Sequence, residues 1–184
     1  MKAKWFAPVL ALFLSACGYN TIQTMDETAA AARQQIEVQL QRRADLVPNL
    51  VETVKGYAAQ EERIFTEVAN ARSALLGARS GGNIGEMANA NQELTGALGR
   101  LLAISENYPQ LKSDQNFLRL QDELTGTENR IAVSRTDYNN AVRDYNAYIR
   151  RFPAVLTAKV TGAKAREYFE VTNAANREAP TVSF

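Results

Sequence analysis

One stretch of this sequence, from Ser113 to Phe152, limits the possible fold more than any other. Apolar and small residues recur in it at steps that alternate between three and four. This spacing is typical of a helix that packs against partner helices along its whole length. The stretch contains no proline and a single glycine, so we expect one continuous helix of about 60 Å at 1.5 Å per residue. The recurring residues are Phe117, Leu120, Leu124, Thr127, Ile131, Ser134, Tyr138, Ala141, Tyr145, Tyr148 and Phe152.

The segments that precede this long helix show the same spacing and predict three more helices. We expect the first over about residues 21–44 and an interruption at Asp45–Pro48, because proline suits a first helical turn but cannot continue a helix. A second helix would then run from Pro48 to about Leu75. The glycine-rich loop at 77–82 separates it from a third helix over about 84–105.

These elements predict an all-α fold. The turn around Pro109 is short, with Ser113 or Asp114 as the expected N-cap of the long helix. Short connections favour antiparallel neighbours, so we expect an antiparallel up-and-down four-helix bundle of long helices with a short C-terminal helical segment. An alternative keeps the first two helices as one rod kinked at Pro48, which gives three long helices.

The composition excludes several classes of function. The chain has no histidine and a single cysteine, which removes the commonest general base, the commonest transition-metal ligand, an intrachain disulfide and a cysteine–histidine dyad. The formal net charge is +1, so no electrostatic footprint for nucleic acid is present. We therefore predict no enzyme, no catalytic residue, no metal and no cofactor.

The N-terminus resembles the signal sequence of a bacterial lipoprotein. A basic start at Met1–Lys4 is followed by the apolar run Trp5–Leu14 and by the small residues Ser15 and Ala16 directly before Cys17. This resemblance to a lipobox implies a signal peptide over residues 1–16, a diacylglyceryl group on Cys17, and acylation of the new amino terminus, with palmitate as the expected chain. The expected location is the cell envelope, with the periplasmic face of a Gram-negative outer membrane favoured. The alternative is an uncleaved N-terminal transmembrane anchor, for which the apolar run is short.

Several motifs resemble the LemA family of bacterial proteins. The sequence VQLQRRADLVPNLVETVKGYAAQE spans Val38–Glu61, and further matches occur at Ala69–Arg72, Ser105–Val142 and Tyr148–Pro153. The resemblance implies a helical bundle over residues 17–173 and association with a membrane. The last residues, 174–184, are expected to form a loose tail. Many members carry an N-terminal transmembrane helix, from which the lipobox departs. The family brings no known activity, but it resembles accessory factors found alongside membrane proteolysis or envelope maintenance.

A cluster of polar residues around the expected turn at Pro48 is the first candidate interaction site. One interpretation is a binding patch at the end of the bundle. The other is helix capping and ion pairing around a tight turn, where exposed pairs contribute at most ~1 kcal/mol each. The cluster comprises Arg42, Arg43, Asp45, Asn49 and Glu52.

Glu61 is the one acidic residue on the otherwise apolar seam expected for the second helix. Counting outward from the turns places Glu61 level with Arg33 and with Arg100, which predicts a buried ion pair. The alternative is a lone catalytic carboxylate of a cell-wall hydrolase. Substitution of Glu61 by glutamine would separate the two.

The end of the long helix is the second candidate interaction site. Tyr145, Tyr148, Arg150 and Arg151 extend past the expected end of the neighbouring helix. The chain's own segment 153–169 or a lipid or protein partner must cover these aromatic side chains. We predict a membrane-anchored, non-catalytic scaffold or adaptor. Its partners would be the membrane, through Cys17, and a protein such as a membrane protease or an envelope-maintenance complex. The alternatives are the hydrolase and direct sensing or remodelling of the membrane surface.

Overall fold

The computed structural model describes the backbone of residues 6–171 and the side chains of residues 18–171. Within these residues the chain is all-α and contains no strand. The helices are α1 (Phe6–Lys55), α2 (Glu62–Gly81), α3 (Ile84–Ile104), a 3₁₀ turn (Ser105–Asn107), α4 (Pro109–Lys112), α5 (Gln115–Tyr148) and α6 (Ala154–Thr161). The predicted fold class is confirmed. The predicted tail over 174–184 lies outside the described residues.

The chain divides into two compact units, and α1 and α5 contribute residues to both. Of the described residues, we call those up to Gln35 together with Ser134–Tyr168 the terminal unit, and Ile36–Val133 together with 169–171 the four-helix unit.

In the four-helix unit, the C-terminal part of α1, α2, α3 and the N-terminal part of α5 pack around one core. Cross-helix hydrogen bonds connect Arg72 of α2 to Ala44 of α1, and Arg100 of α3 to Glu67 of α2. A salt bridge connects Arg43 of α1 to Glu128 of α5. These contacts and the short connections give each helix an antiparallel neighbour along the chain. The largest fully buried side chains of this unit include Ile36, Leu40, Leu50, Leu75, Met87, Leu94, Leu101 and Phe117.

The predicted interruption at Asp45–Pro48 is wrong, because α1 continues through Pro48 to Lys55. A proline inside a helix leaves the carbonyl group four residues earlier without its amide donor. That carbonyl belongs to Ala44, and it accepts a hydrogen bond of 2.7 Å from Nε of Arg72 on α2. The side chain of Arg72 thus replaces the amide donor that Pro48 lacks. The alternative of one rod through Pro48 is therefore the closer description of α1.

The chain breaks instead at residues 56–61, between α1 and α2. Gly56 lowers the helix propensity there, and the buried side chain of Ala58 fixes the turn to the core. The hydroxyl of Tyr57 donates to Oδ2 of Asp114 at 2.9 Å, and the amide of Gln60 donates to the hydroxyl of Tyr108. The α1–α2 turn therefore lies beside the connection that precedes α5.

The remaining helix ends follow the expected chemistry. Gly82 ends α2 in the left-handed conformation (φ 72°), where glycine carries no steric penalty. The side chain of Asn83 caps α3 by accepting from the amide of Glu86 at 3.0 Å. Asp114 caps α5 in the same way, with its Oδ1 accepting from the amide of Phe117 at 2.9 Å. The prediction that named Asp114 as one of two possible N-caps is confirmed.

The apolar seam predicted for α5 is also confirmed, except at its end. From Phe117 to Tyr148 every member of the seam is buried or half-buried. Phe152 is 81% exposed instead, because α5 ends at Tyr148 and a turn follows.

Candidate interaction surfaces

Arg43 is a buried cation at the centre of the four-helix unit. Only 2% of the residue is exposed. Its Nη1 donates to Oδ1 of Asn91 on α3 at 2.8 Å, and its Nη2 lies 3.6 Å from Oε2 of Glu128 on α5. Its Nε is buried and donates to no atom of the described residues. Burial lowers the pKa of Arg43, and the carboxylate of Glu128 partly opposes this shift.

The predicted polar cluster is therefore divided between the core and the surface. Arg43 points inward, while Arg42, Asp45, Asn49 and Glu52 lie on exposed positions of α1. Their steps of three and four residues place these four on one face of the helix, and we call them the α1 stripe. The prediction that all five residues form a surface patch is wrong for Arg43, because its position on α1 faces α3 and α5.

The α1 stripe has few internal contacts. Asp45 accepts a hydrogen bond of 2.6 Å from the amide of Gln41, and Glu52 pairs with Lys55 at 3.2 Å. Both are contacts between exposed neighbours on one helix, which stabilise a protein little. The stripe therefore presents two carboxylates, an amide and a guanidinium to solvent.

The predicted buried pair around Glu61 does not form with Arg100. Glu61 lies half-buried in the α1–α2 turn, at the N-cap position of α2. Arg100 pairs with Glu67 instead, with an Nε–Oε2 distance of 3.0 Å. The prediction depended on a turn at Pro48, and moving the turn to 56–61 takes Glu61 off the helical seam. Arg33 belongs to the terminal unit, where its charge lowers the pKa of Tyr138 against the larger upward effect of burial.

The terminal unit has its own small core, which includes two of the predicted interaction residues. Tyr145 is 3% exposed and packs with Ile22, Ile149 and Ala158, and Tyr148 is half-buried against the same cluster. The segment after Pro153 thus covers these aromatic side chains, as one of the two alternatives predicted. The prediction of Tyr145 as an interaction residue is wrong, because its side chain is part of this core.

Arg150 and Arg151 remain at the surface of the terminal unit. Both side chains are exposed. Nε of Arg150 also donates to the carbonyl oxygen of Asn146 at 2.9 Å, which holds this guanidinium group close to the end of α5. Arg151 follows in the turn that leads to α6.

A strap formed by residues 162–168 closes the terminal unit. Asn146 is 6% exposed and binds both backbone groups of Arg166, donating to its carbonyl oxygen and accepting from its amide, each at 2.9 Å. Nε and Nη2 of Arg166 donate to the two carboxylate oxygens of Asp26 at 2.7 and 2.9 Å. The hydroxyl of Tyr138 donates to the carbonyl oxygen of Glu167 at 2.8 Å.

The pKa of Asp26 is lowered, chiefly by the hydrogen bond from Arg166. Asp26, Asn146 and Arg166 were not predicted as site residues from the sequence. The available signal was a polar residue next to the apolar seam in each helix, at Asp26 beside Met25 and at Asn146 beside Tyr145.

Two further properties bear on function. Among the described residues, no group of three or more histidine, cysteine, aspartate or glutamate side chains is placed to hold a metal ion. In the same part of the chain, no helix has the length and apolar character needed to cross a membrane. The side chain of Cys17, the predicted lipidation site, and the rest of the predicted signal peptide lie outside the described side chains.

Fold and surfaces together define a helical-bundle protein in which the buried side chain of Arg43 joins α1 to α3 and α5. The chain belongs to the LemA family, whose family model matches residues 32–184. It is 34% identical over 175 residues to the magnetosome proteins MamQ 1 and MamQ 2 of Paramagnetospirillum magneticum, with 83% of this chain covered. It is also 34% identical over 174 residues to magnetosome protein MamQ of Magnetospirillum gryphiswaldense, with 82% covered. The matched part spans 64% of the length of these relatives.

Proposed function

We propose that this protein is a membrane-anchored scaffold or adaptor of the bacterial envelope, without catalytic chemistry of its own. The observation that carries the proposal is the division of polar residues on α1. Arg43 binds side chains of α3 and α5 and so connects these helices to α1. The α1 stripe beside it is exposed and makes contacts only along its own helix. A rigid helix face with fixed charges is suited to recognising a partner protein.

The partner that we propose is a protein of the membrane or envelope, such as a membrane protease or an envelope-maintenance complex. The α1 stripe places charges of both signs along nearly three turns of helix, at about 3.6 residues per turn. A fixed arrangement of positive and negative charges contributes to the choice and orientation of a partner more than to raw affinity. Side chains of the complementary pattern on a partner helix or loop would meet all four residues at once.

The anchor that we propose is lipid on Cys17, after removal of residues 1–16. The support is the sequence itself, in which small residues precede the only cysteine of the chain. Several acyl chains hold a protein at a membrane stably, whereas one does so only marginally. We propose the periplasmic face of an outer membrane as the location. Intact mass measurement of the membrane-extracted protein, compared with a Cys17→Ser variant, tests the modification directly.

Photo-crosslinking in living cells tests the scaffold. A photoreactive residue at Asn49 samples the α1 stripe, and the same residue at Asn129 is the matched control. Asn129 is also an exposed asparagine, and it follows Glu128, which contacts Arg43 from α5. It therefore lies on a different helix, at the level of Arg43 in the bundle.

We expect one dominant protein adduct from Asn49 and none from Asn129. Reversing charges in the stripe with Arg42→Glu and Glu52→Lys should remove the adduct without changing the melting temperature, because both side chains are exposed. The proposal fails if the two asparagine positions give the same adducts, or if charge reversal leaves the Asn49 adduct intact.

A further inference from the structure

The outer face of α6 and the turn before it carry large apolar side chains that the chain leaves in solvent. Phe152 is 81% exposed, Leu156 54% and Val160 89%. Leu156 and Val160 lie one helical turn apart on the same face, and Phe152 precedes them by the same interval. We call these three residues the α6 face. Exposed apolar residues grouped in this way mark a site of interaction, whereas single ones need no explanation.

The opposite face of α6 fixes the helix to the start of α1. Ala154, Thr157 and Ala158 are buried. Gly18 of α1 is also buried, and a methyl group added there would lie 3.3 Å from Oγ1 of Thr157 and 3.7 Å from Cα of Ala154. The helix α6 is thus packed against the residue that directly follows Cys17.

The chain around α6 is strongly basic. From Tyr145 to Arg166 it contains five basic residues and no acidic residue, although the whole chain carries a net charge of only +1. Arg166 is neutralised by Asp26. The other four have exposed side chains and are Arg150, Arg151, Lys159 and Lys164.

These observations favour one occupant, the surface of an anionic lipid bilayer. An apolar helix face flanked by cations is the pattern of a helix that lies in the interface of a membrane. Cys17 directly precedes Gly18 in the sequence, so the lipid anchor proposed on Cys17 brings a membrane close to α6. A second copy of the chain is disfavoured, because two α6 faces in contact would bring like charges together.

We propose that the α6 face rests on the bilayer and inserts Phe152, Leu156 and Val160 among the lipid headgroups, where the four cations bind anionic lipid. The inference rests on the membrane anchoring proposed above. It adds a second, peripheral contact that holds the terminal unit against the membrane. The anchor alone would leave the unit free to turn about its attachment point.

Lipid crosslinking of the full-length protein tests this contact. A photoreactive residue replaces Leu156 or, as the matched control, Val133 of α5, which is 61% exposed and equally apolar. Each protein is reconstituted into vesicles of phosphatidylcholine with phosphatidylglycerol, and into vesicles of phosphatidylcholine alone. Membrane-bound protein is separated by flotation, and adducts are identified by mass spectrometry.

We expect lipid adducts at Leu156 and none at Val133, with a large loss when phosphatidylglycerol is omitted. The substitution Lys159→Glu should reduce the Leu156 adduct by about fivefold or more, since one cation near an anionic surface contributes ~1 kcal/mol. The control substitution Arg63→Glu alters a side chain on α2 that is 88% exposed, and it should leave the adduct unchanged.

The outcomes separate this inference from the anchor. Protein that floats with the vesicles but gives no lipid adduct at Leu156 overturns the α6 contact and leaves the anchoring intact. Protein that does not float overturns both. An adduct at Leu156 that joins two protein chains assigns the α6 face to a second copy and overturns the lipid contact.

Discussion

Arg72 and Ala44 are joined by a hydrogen bond of 2.7 Å from the guanidinium Nε to the main-chain carbonyl oxygen. That carbonyl lacks its usual helical donor, because residue 48 is proline and has no amide hydrogen. Ala44 is fully buried, so water cannot replace the missing donor. The side chain of Arg72 on α2 therefore allows α1 to continue past Pro48.

The first prediction is an energetic coupling between Arg72 and Pro48. Arg72→Met should lower the free energy of unfolding by about 1–3 kcal/mol, because a buried carbonyl is left unpaired. In a Pro48→Ala background the new amide satisfies the same carbonyl, so Arg72→Met should cost clearly less. Urea denaturation of the four proteins gives the coupling as a double-mutant cycle.

The control for this cycle is Arg63→Met, which removes an arginine of α2 whose side chain is 88% exposed. It should show no coupling to Pro48→Ala. Equal costs of Arg72→Met with and without Pro48 would mean that the hydrogen bond to Ala44 does not stabilise α1.

This hydrogen bond also marks the limit of what the sequence predicts. The seam of α5 was predictable because each member repeats a local spacing that burial enforces. The continuation of α1 through Pro48 was not predictable, because the compensating donor lies on another helix, 28 residues from Ala44 in the sequence. Because the turn was predicted at Asp45–Pro48 and lies at 56–61 instead, Glu61 was assigned to a helical seam and paired with Arg100, which it does not contact.

The contacts of the strap in the terminal unit could not be predicted from the sequence for the same reason. Asp26 and Arg166 are 140 residues apart in the sequence, and the residues around either one do not indicate that the other is its partner. The four-helix unit in turn depends on Arg43, which was predicted as a surface residue. An arginine in the core is rare unless it is paired, so the burial of Arg43 could not be predicted from the residues around it.

The second prediction concerns this buried arginine. Arg43→Ala should lower the free energy of unfolding by about 3 kcal/mol, because it opens a cavity where α1 packs against α3 and α5. Arg43→Met preserves most of the volume and should cost only about 1 kcal/mol, chiefly for the unpaired Oδ1 of Asn91. Combining Arg43→Met with Asn91→Leu removes both polar partners and should recover that loss. A double variant no more stable than Arg43→Met alone would show that the unpaired Oδ1 of Asn91 is not the source of the loss.

The third prediction concerns Asn146 and the strap. Asn146→Asp keeps the acceptor for the amide of Arg166 but places a carboxylate oxygen against the carbonyl oxygen of Arg166. Repulsion between these two acceptors should release the strap, so hydrogen exchange at the amides of residues 162–168 should become faster. Asn140→Asp, at an exposed position of α5, makes the same change of charge and should leave these rates unchanged. Unaltered exchange in both variants would contradict the role given to Asn146.

The fourth prediction is that acid loosens the strap through Asp26. The pKa of Asp26 in the folded protein lies below its value in the unfolded chain, because Arg166 donates two hydrogen bonds to the carboxylate. The contribution to stability is therefore fully present above the unfolded pKa of about 3.9, and it is lost as the pH falls through the folded pKa. Hydrogen exchange at residues 162–168, corrected for the intrinsic pH dependence, should show the strap opening more often below about pH 4.

Asp26→Asn removes this titration and separates it from that of other carboxylates. At neutral pH the variant should exchange faster than the wild type over residues 162–168, because Arg166 loses its ionised partner. Below the folded pKa of Asp26 the two proteins should converge, since the wild-type side chain is then neutral as well. Asp122→Asn, at an exposed position of α5 in the four-helix unit, is the matched control and should follow the wild type at every pH. If Asp26→Asn kept the wild-type exchange rates at neutral pH, the contact between Asp26 and Arg166 would not be what holds the strap. The two hydrogen bonds between Asn146 and the backbone of Arg166 would then hold it instead.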